Sequence, residues 1–134
     1  MVAMAAILLC AGPVRSASML PTCPDSPNCV SSLAERPSQR VAPFAFTGSA
    51  EAAHGRLMRL LEQDRSATVV DARKGWIAAE YRSRLFGFVD DLRFELDATA
   101  GVFHVHSASR TGYWDLGVNR RRVEALRAKF AAGG

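Results

Sequence analysis

Apolar and polar side chains alternate with a period of two in three stretches between residues 76 and 106. Successive side chains of a strand point to opposite faces, so each stretch predicts a strand with one core face and one charged face. A further short strand is predicted at 68–72, and turns at 73–75 and 97–101 join antiparallel neighbours. The apolar members of the three stretches are Ile77, Ala79, Tyr81, Leu92, Phe94, Leu96, Phe103 and Val105.

Two helices flank these strands. Ser49 is a suitable N-cap for a helix through about Gln63, with an apolar stripe at Ala53, Leu57, Leu60 and Leu61. The second helix is predicted from Arg120 to about Ala131, with Asn119 as its N-cap. The order strand, helix, about four strands, helix predicts an α+β domain, with an antiparallel sheet of four to five strands covered on one face by two helices. Helix-grip folds have this order.

The first 18 residues resemble an export segment. Residues 1–12 are apolar and uncharged, Pro13 follows, and small residues near Ser16 and Ser18 suit cleavage. Cys10 ends the apolar run as a lipoprotein cysteine does, although Leu9 stands where such signals carry a small residue. We expect a periplasmic or envelope-associated protein, with membrane association through its N-terminus. A lipidated Cys10, a misassigned start and a cytoplasmic protein with an apolar tail remain open alternatives.

The chain of 134 residues fits one domain, placed at 41–134 after an irregular Pro- and Ser-rich arm at 19–40. Removal of the leader takes Cys10 away and leaves Cys23 and Cys29, which bracket a run of turn-forming residues. This pair predicts a disulfide. Two free thiols are one alternative; a metal site is another, although zinc needs further ligands and no histidine lies near in sequence.

The net charge of +4 comes from arginine, since Lys74 and Lys129 are the only lysines. Arginine suits bidentate contacts with carboxylate or phosphate. No basic run is interleaved with aromatic residues as in platforms that stack single-stranded nucleic acid, so the composition does not favour a nucleic-acid partner.

The segment 107–122 runs from a strand into a helix whose first turn carries three consecutive arginines. A helix N-terminus bears a partial positive charge, so this arrangement calls for an internal acid or a bound anion. One hypothesis is a ligand site; the other is an internal network in which Asp90, Asp91 and Asp115 pair with the arginines. The candidate ligand-binding residues are Arg82, Arg84, Arg110, Tyr113, Asp115, Asn119 and Arg120.

Enzymatic chemistry has weaker support in the sequence. His104 and His106 share a strand face and would bind zinc or iron if Glu80 or Glu95 approached, but such a pair is also typical of a solvated face. Asp90 and Asp91 are the alternative acid–base pair. No catalytic residue, metal or cofactor is assigned.

Three ordered motifs, at 23–32, 82–91 and 107–122, resemble those of the DUF1499 family, and the resemblance covers about residues 22–130. Members look like small, often exported or membrane-associated domains, and the resemblance implies no catalytic residue. We expect a non-enzymatic accessory or binding domain whose contact surface includes 110–122, with an anionic small molecule, a lipid headgroup or an envelope protein as partner. A small envelope enzyme and a structural protein-interaction domain are the alternatives. The ligand and the oligomeric state are not predicted.

Overall fold

The computed structural model describes residues 16–133, in which two helices pack on one face of a six-stranded antiparallel sheet. The predicted α+β class is therefore confirmed. Along the sheet the order is β1-β6-β5-β4-β3, and β2 also pairs with β6. The elements are β1 (Cys29–Ser31), β2 (Phe44–Ala45), α1 (Ala50–Gln63), β3 (Ala67–Arg73), β4 (Trp76–Arg82), β5 (Val89–Asp97), β6 (Val102–Ser109) and α2 (Val118–Ala131).

The core lies between the sheet and the helices. The apolar members of the alternating stretches face inward against the apolar stripes of α1 and α2, as the periodicity predicted. The largest side chains with almost no exposure are Phe44, Phe94, Phe103, Phe130, Leu57, Leu61, Ile77 and Leu92.

Strand number and strand ends differ from the prediction. Two strands, β1 and β2, precede the first helix where one was predicted, and they have three residues and two residues, too few to show a period-two pattern. The alternation that begins at Trp76 continues to Arg84, but the strand ends at Arg82, because Ser83 closes a turn by bonding to Phe88 through both its backbone amide and its hydroxyl.

The first helix begins at its predicted cap, where the Ser49 hydroxyl accepts a hydrogen bond from the Ala52 amide at 3.1 Å. The second helix begins earlier than predicted. Its N-cap is Gly117 rather than Asn119, and Gly117 has a φ of +77° that favours glycine. The carboxylate of Asp115 binds the backbone amides of both Gly117 and Asn119, which moves the helix start forward and brings Asn119 into the first turn.

The arm predicted as irregular over 19–40 is partly regular. It contributes β1, which pairs with β6, and a 3-10 turn at Pro37–Gln39. The Cys23–Cys29 disulfide predicted from the sequence is present. Contacts from Met19 to Glu95 and from Ser32 to His104 place the arm over the sheet face opposite the helices.

Two long loops leave the sheet at the same end. The β4–β5 loop, 83–88, ends at the start of β5, and the β6–α2 loop, 110–117, begins at the end of the neighbouring strand β6. There the Arg110 amide donates to the Val89 carbonyl at 3.0 Å. We call these two loops together the loop end. Among residues 16–133, no helix has the length and hydropathy needed to cross a membrane. The predicted apolar leader and Cys10 lie outside the described residues.

Candidate functional site

Six large apolar side chains project into solvent from the loop end. Leu85 is 88% exposed, Phe86 74% and Trp114 67%, values opposite to those of core residues. The Phe86 and Phe88 rings stack with centroids 5.6 Å apart. Exposed apolar side chains in this number make the two loops the candidate interaction surface of the described residues. The six residues are Leu85, Phe86, Phe88, Tyr113, Trp114 and Leu116.

Backbone hydrogen bonds hold the β4–β5 loop in shape without using its apolar side chains. The Ser83 amide donates to the Phe88 carbonyl at 2.9 Å, and the Phe88 amide donates to the Ser83 hydroxyl at 3.0 Å. The Gly87 amide donates to the Ser83 carbonyl at 3.2 Å. The loop therefore presents its apolar residues from a closed backbone turn.

The β6–α2 loop is fixed by Asp115. Its Oδ1 accepts from the Gly117 amide at 2.7 Å, and its Oδ2 accepts from the amide and side chain of Asn119 at 3.1 and 2.9 Å. Leu116, held between these bonds, has a φ of +58°. A leucine in the left-handed region costs about 1–2 kcal/mol relative to its ordinary conformation. This strained residue is also one of the exposed apolar six, an arrangement that favours a functional role.

Asn119 connects three parts of the fold and has no exposed surface. Its side-chain oxygen accepts from the Ser107 hydroxyl at 2.6 Å, and its side-chain nitrogen donates to Ser109, Asp115 and the Asn28 carbonyl. Asn28 in turn donates to the Gly112 carbonyl at 2.7 Å. Although Asn119 was a candidate ligand residue, the structure uses it to join α2 and β6 to the arm.

The candidate arginines do not converge on one point. Arg110 lies on the face opposite the helices, paired with Asp91 at 2.8 Å and Glu80 at 2.6 Å. Arg120 faces the arm and donates to the carbonyls of Ser38 and Arg40. The separation follows from the elements that carry them: Arg110 comes directly after β6, whereas Arg120 lies in the first turn of α2, which packs on the other face of the sheet.

A buried ion pair joins α2 to the helix-covered face. Arg122 bonds Asp90 at 2.7 Å, and its guanidinium lies 4.3 Å from the centre of the Tyr81 ring. Burial and the charge of Asp64 raise the pKa of Tyr81 above its usual value, although Asp64 is not within hydrogen-bond geometry of the hydroxyl. Asp90 and Asp91 therefore belong to two separate ion pairs on opposite faces.

Three arginines near the loop end have no carboxylate partner within residues 16–133: Arg82, Arg84 and Arg121. Arg82 and Arg84 line a cleft of about 390 Å³ that the α2 start also borders at Val118. Arg84 also borders a wider cleft of about 620 Å³ with Arg65 and Lys129. Both clefts therefore carry arginines without a carboxylate partner, and the Asp64 carboxylate also lines both of them.

Two carboxylates near the loop end, Asp91 and Asp115, have lowered pKa values. The hydrogen bond from Arg110 outweighs burial and holds the pKa of Asp91 below its usual range. Burial alone would raise the pKa of Asp115, but hydrogen bonds from Asn119 and Gly117 lower it overall. Ionised carboxylates with lowered pKa values suit structural pairing and capping, whereas a general acid needs a raised value.

The histidines do not form the metal arrangement that the sequence left open as an alternative. His104 Nδ1 lies 3.1 Å from the Ser32 hydroxyl, Glu80 pairs with Arg110, and Glu95 accepts from Met19. His106 is buried beneath the arm, with Nε2 3.3 Å from Cys29 Sγ, rather than on a solvated face. Among the described residues, the one group of three metal-ligand side chains that meets is Cys23, Cys29 and His106, and its sulfurs are joined to each other.

The exposed apolar residues of the β4–β5 loop were not among the sequence candidates. Their signal is the run Leu85-Phe86-Gly87-Phe88, which breaks the alternation of the preceding strand and follows two arginines.

A family model described as "Protein of unknown function (DUF1499)" matches residues 19–130. The comparison with curated proteins gives no match. The matched range contains the arm, the disulfide and both loops of the loop end.

Proposed function

We propose that this chain, which belongs to the DUF1499 family of proteins of unknown function, is an exported, non-catalytic binding domain that docks through its loop end onto an anionic lipid surface. The carrying observation is the combination of six exposed apolar side chains with three arginines that have no carboxylate partner within residues 16–133. Two of them, Arg82 and Arg121, donate to the backbone carbonyls of Gly87 and Leu116. The occupant follows from this chemistry, since a phospholipid surface offers both acyl chains and phosphates.

The apolar part supplies the insertion energy. Full burial of one large apolar side chain contributes roughly 1.5–3 kcal/mol, so even partial insertion of several side chains supports reversible binding. Tyrosine and tryptophan are favoured at membrane interfaces because they have an apolar ring and a polar edge. Both side chains stand in the β6–α2 loop as Tyr113 and Trp114.

The arginines supply the selection for anionic lipid. Arg82 is the last residue of β4, Arg84 lies in the same loop as Phe86, and Arg121 lies one turn into α2. A basic residue near an anionic membrane contributes about 1 kcal/mol. Guanidinium groups also bind phosphate oxygens in a bidentate manner. Headgroup phosphate and free inorganic phosphate share this chemistry, and the experiment below separates them.

The exposure of residues 16–18 and the hydrogen bond of the Met19 nitrogen support the export proposal. Ser16, Ala17 and Ser18 are small and exposed, and the Met19 nitrogen lies 2.9 Å from Glu95 Oε1. Cleavage after Ser18 would create an ammonium group already seated on that carboxylate. Glu95 lies at the end of the sheet opposite the loop end, so a freed N-terminus leaves the docking surface unobstructed.

Vesicle binding tests the docking proposal. The chain is mixed with vesicles of phosphatidylcholine, with or without phosphatidylglycerol as half of the lipid, and bound protein is measured by sedimentation. We expect binding to the anionic vesicles that weakens with added salt, because salt screens exposed charges. Inorganic phosphate alone should leave Trp114 emission unshifted, whereas a site for free phosphate would respond to it.

Matched variants separate the two contributions. Leu116→Asn should lower vesicle affinity by about tenfold, because an inserted apolar side chain is lost. Folding should be preserved, since asparagine tolerates a positive φ. Its control is Leu33→Ser, an exposed apolar residue in the arm.

Arg84→Glu should lower affinity by about 30-fold through two units of charge, with exposed Arg59→Glu on α1 as control.

Equal sedimentation of the wild type, Leu116→Asn and Arg84→Glu would contradict lipid docking. If the wild type does not bind vesicles, and the same variants lose binding to a purified envelope protein, the loop end is a protein interface instead.

Mass spectrometry of the protein from its native host tests export. If the leader is removed on export, we expect the mature N-terminus to be at Met19 or close to it. An intact Met1 on cytosolic protein would contradict export without touching the docking proposal, and a lipid on Cys10 would identify a lipoprotein.

A further inference from the structure

We propose that the Cys23–Cys29 disulfide is a thiol–disulfide exchange site, at which a small thiol attacks Cys23 and Cys29 leaves beside His106. This activity goes beyond lipid docking and rests on different residues. It follows from the unequal surroundings of the two sulfurs and from a histidine that is 77 residues away from Cys29 in the chain.

Access to the disulfide is one-sided. Cys23 is half-buried and borders a cleft of about 430 Å³, together with Leu20, Asp25 and Gln39. Cys29 lies in β1 and is 1% exposed. An attacking thiolate must therefore reach Cys23, so that Cys29 becomes the leaving group.

The leaving group is next to a nitrogen that stabilises it. His106 Nε2 lies 3.3 Å from Cys29 Sγ, and Nδ1 is buried with no hydrogen-bond partner. A proton on Nε2 therefore has an acceptor, whereas a proton on Nδ1 has none. Burial, with the nearby Arg93 charge, lowers the pKa of His106 to about 4, so the ring is neutral near pH 7.

Arg93 pairs across the strands with His106, and its positive charge outweighs the opposing charge of Asp91 at the His106 ring. Arg93 forms no ion pair within residues 16–133. Nearby positive charge favours a thiolate, whereas the burial of Cys29 opposes it. A leaving thiol of lower pKa departs faster in exchange.

The exchange balances with a low-molecular-weight thiol as reductant. Its thiolate forms a bond to Cys23 Sγ while the Cys23–Cys29 bond breaks, and the electron pair stays on Cys29 as thiolate. A second thiolate attacks the external sulfur of the mixed disulfide and releases Cys23. Two external thiols become one disulfide, and their two protons end on Cys23 and Cys29.

Exchange also reaches the loop end. Asn28, next to Cys29, donates to the Gly112 carbonyl at 2.7 Å. Opening the 23–29 ring removes one of the constraints on this donor, whose carbonyl also accepts from the Ser109 amide.

The test treats the full oxidised chain with glutathione, quenches with acid, and maps the adduct by mass spectrometry. We expect glutathione on Cys23 and a free thiol at Cys29, at a rate independent of denaturant well below global unfolding. His106→Leu should slow the reaction by about tenfold, because the leaving thiolate loses its donor. His106→Gln, which keeps an N–H at the end of the side chain, should recover part of that rate. His104→Leu, on the same strand face, is the matched control.

Adducts shared between both cysteines would overturn the proposal. A rate that rises with denaturant in parallel with global unfolding would do the same, since the disulfide would then react only in the unfolded chain. These two readouts use the wild type and stand even if His106→Leu fails to fold. A folded His106→Leu protein that reacts at the wild-type rate would remove the role of His106.

Discussion

Asp115 does at the start of α2 what a capping side chain does, although it stands two residues before the N-cap. It accepts hydrogen bonds from two backbone amides and from the Asn119 side chain. Its negative charge also offsets the partial positive charge of the helix end. The acid required by the arginine-rich helix start is thus supplied by the chain itself.

Asp115→Asn should lower the free energy of unfolding by about 1 kcal/mol at neutral pH. Both carboxylate oxygens of Asp115 accept hydrogen bonds from N–H groups. In the asparagine variant one of these oxygens becomes an NH2 group, which cannot accept a hydrogen bond, so one N–H loses its partner in either orientation of the amide. The pKa of Asp115 is lowered in the folded state, so its stabilisation is complete above the unfolded value near 4 and declines as the pH falls through the folded value.

Urea unfolding of wild type and Asp115→Asn across that pH range provides the measurement. The two curves should differ at pH 7 and converge in acid, with exposed Glu62→Gln as control. A constant difference at all pH values would contradict the capping role.

At the scale of elements, the Asp90–Arg122 pair connects β5 to α2 in a mostly buried position, with side-chain exposures of 11% and 13%. Removal of one partner leaves an uncompensated charge, so Arg122→Ala and Asp90→Ala should each cost about 3–5 kcal/mol. The double variant should cost less than the sum of the two. Chemical denaturation of all four proteins gives the coupling energy, and additive losses would contradict direct pairing. The exposed Asp91–Arg110 pair should show much weaker coupling.

The arm and the loop end should respond together to loss of the disulfide. Cys23→Ser with Cys29→Ser should lower stability by about 2 kcal/mol on the chain-entropy model. Hydrogen exchange should accelerate in 110–117, because Asn28 bonds the Gly112 carbonyl. Faster exchange confined to residues near the mutated positions would show that the arm does not support the loop.

The long elements were predictable because each repeats its period often enough to be recognised. Strand β5 and helix α1 are nine and 14 residues long, and their apolar residues occur at the expected spacing. β1 and β2 are shorter than any recognisable period. The N-cap of α2 is Gly117 and not Asn119, the residue that cap preferences favour. Gly117 adopts a positive φ, and Asp115, two residues earlier, supplies the acceptor for the free amides.

At the scale of the whole molecule, the structure places on opposite faces of the sheet side chains that the sequence analysis had grouped together. Asp90 and Asp91 are adjacent, so their side chains lie on opposite faces, and the same parity separates Arg110 from Arg122. The burial of His106 was not predictable, because it depends on the arm crossing the sheet face from a distant part of the sequence. The approach of the two exposed loops depends on strand order, which periodicity does not encode.

The position of Trp114 relative to lipid acyl chains tests the central claim most directly. A Trp76→Phe variant leaves Trp114 as the one tryptophan, and its fluorescence is measured on anionic vesicles whose acyl chains carry bromine. Docking by the loop end predicts quenching by the brominated chains and protection from acrylamide in the aqueous phase. Bound protein whose Trp114 remains open to acrylamide and is untouched by bromine would contradict the claim.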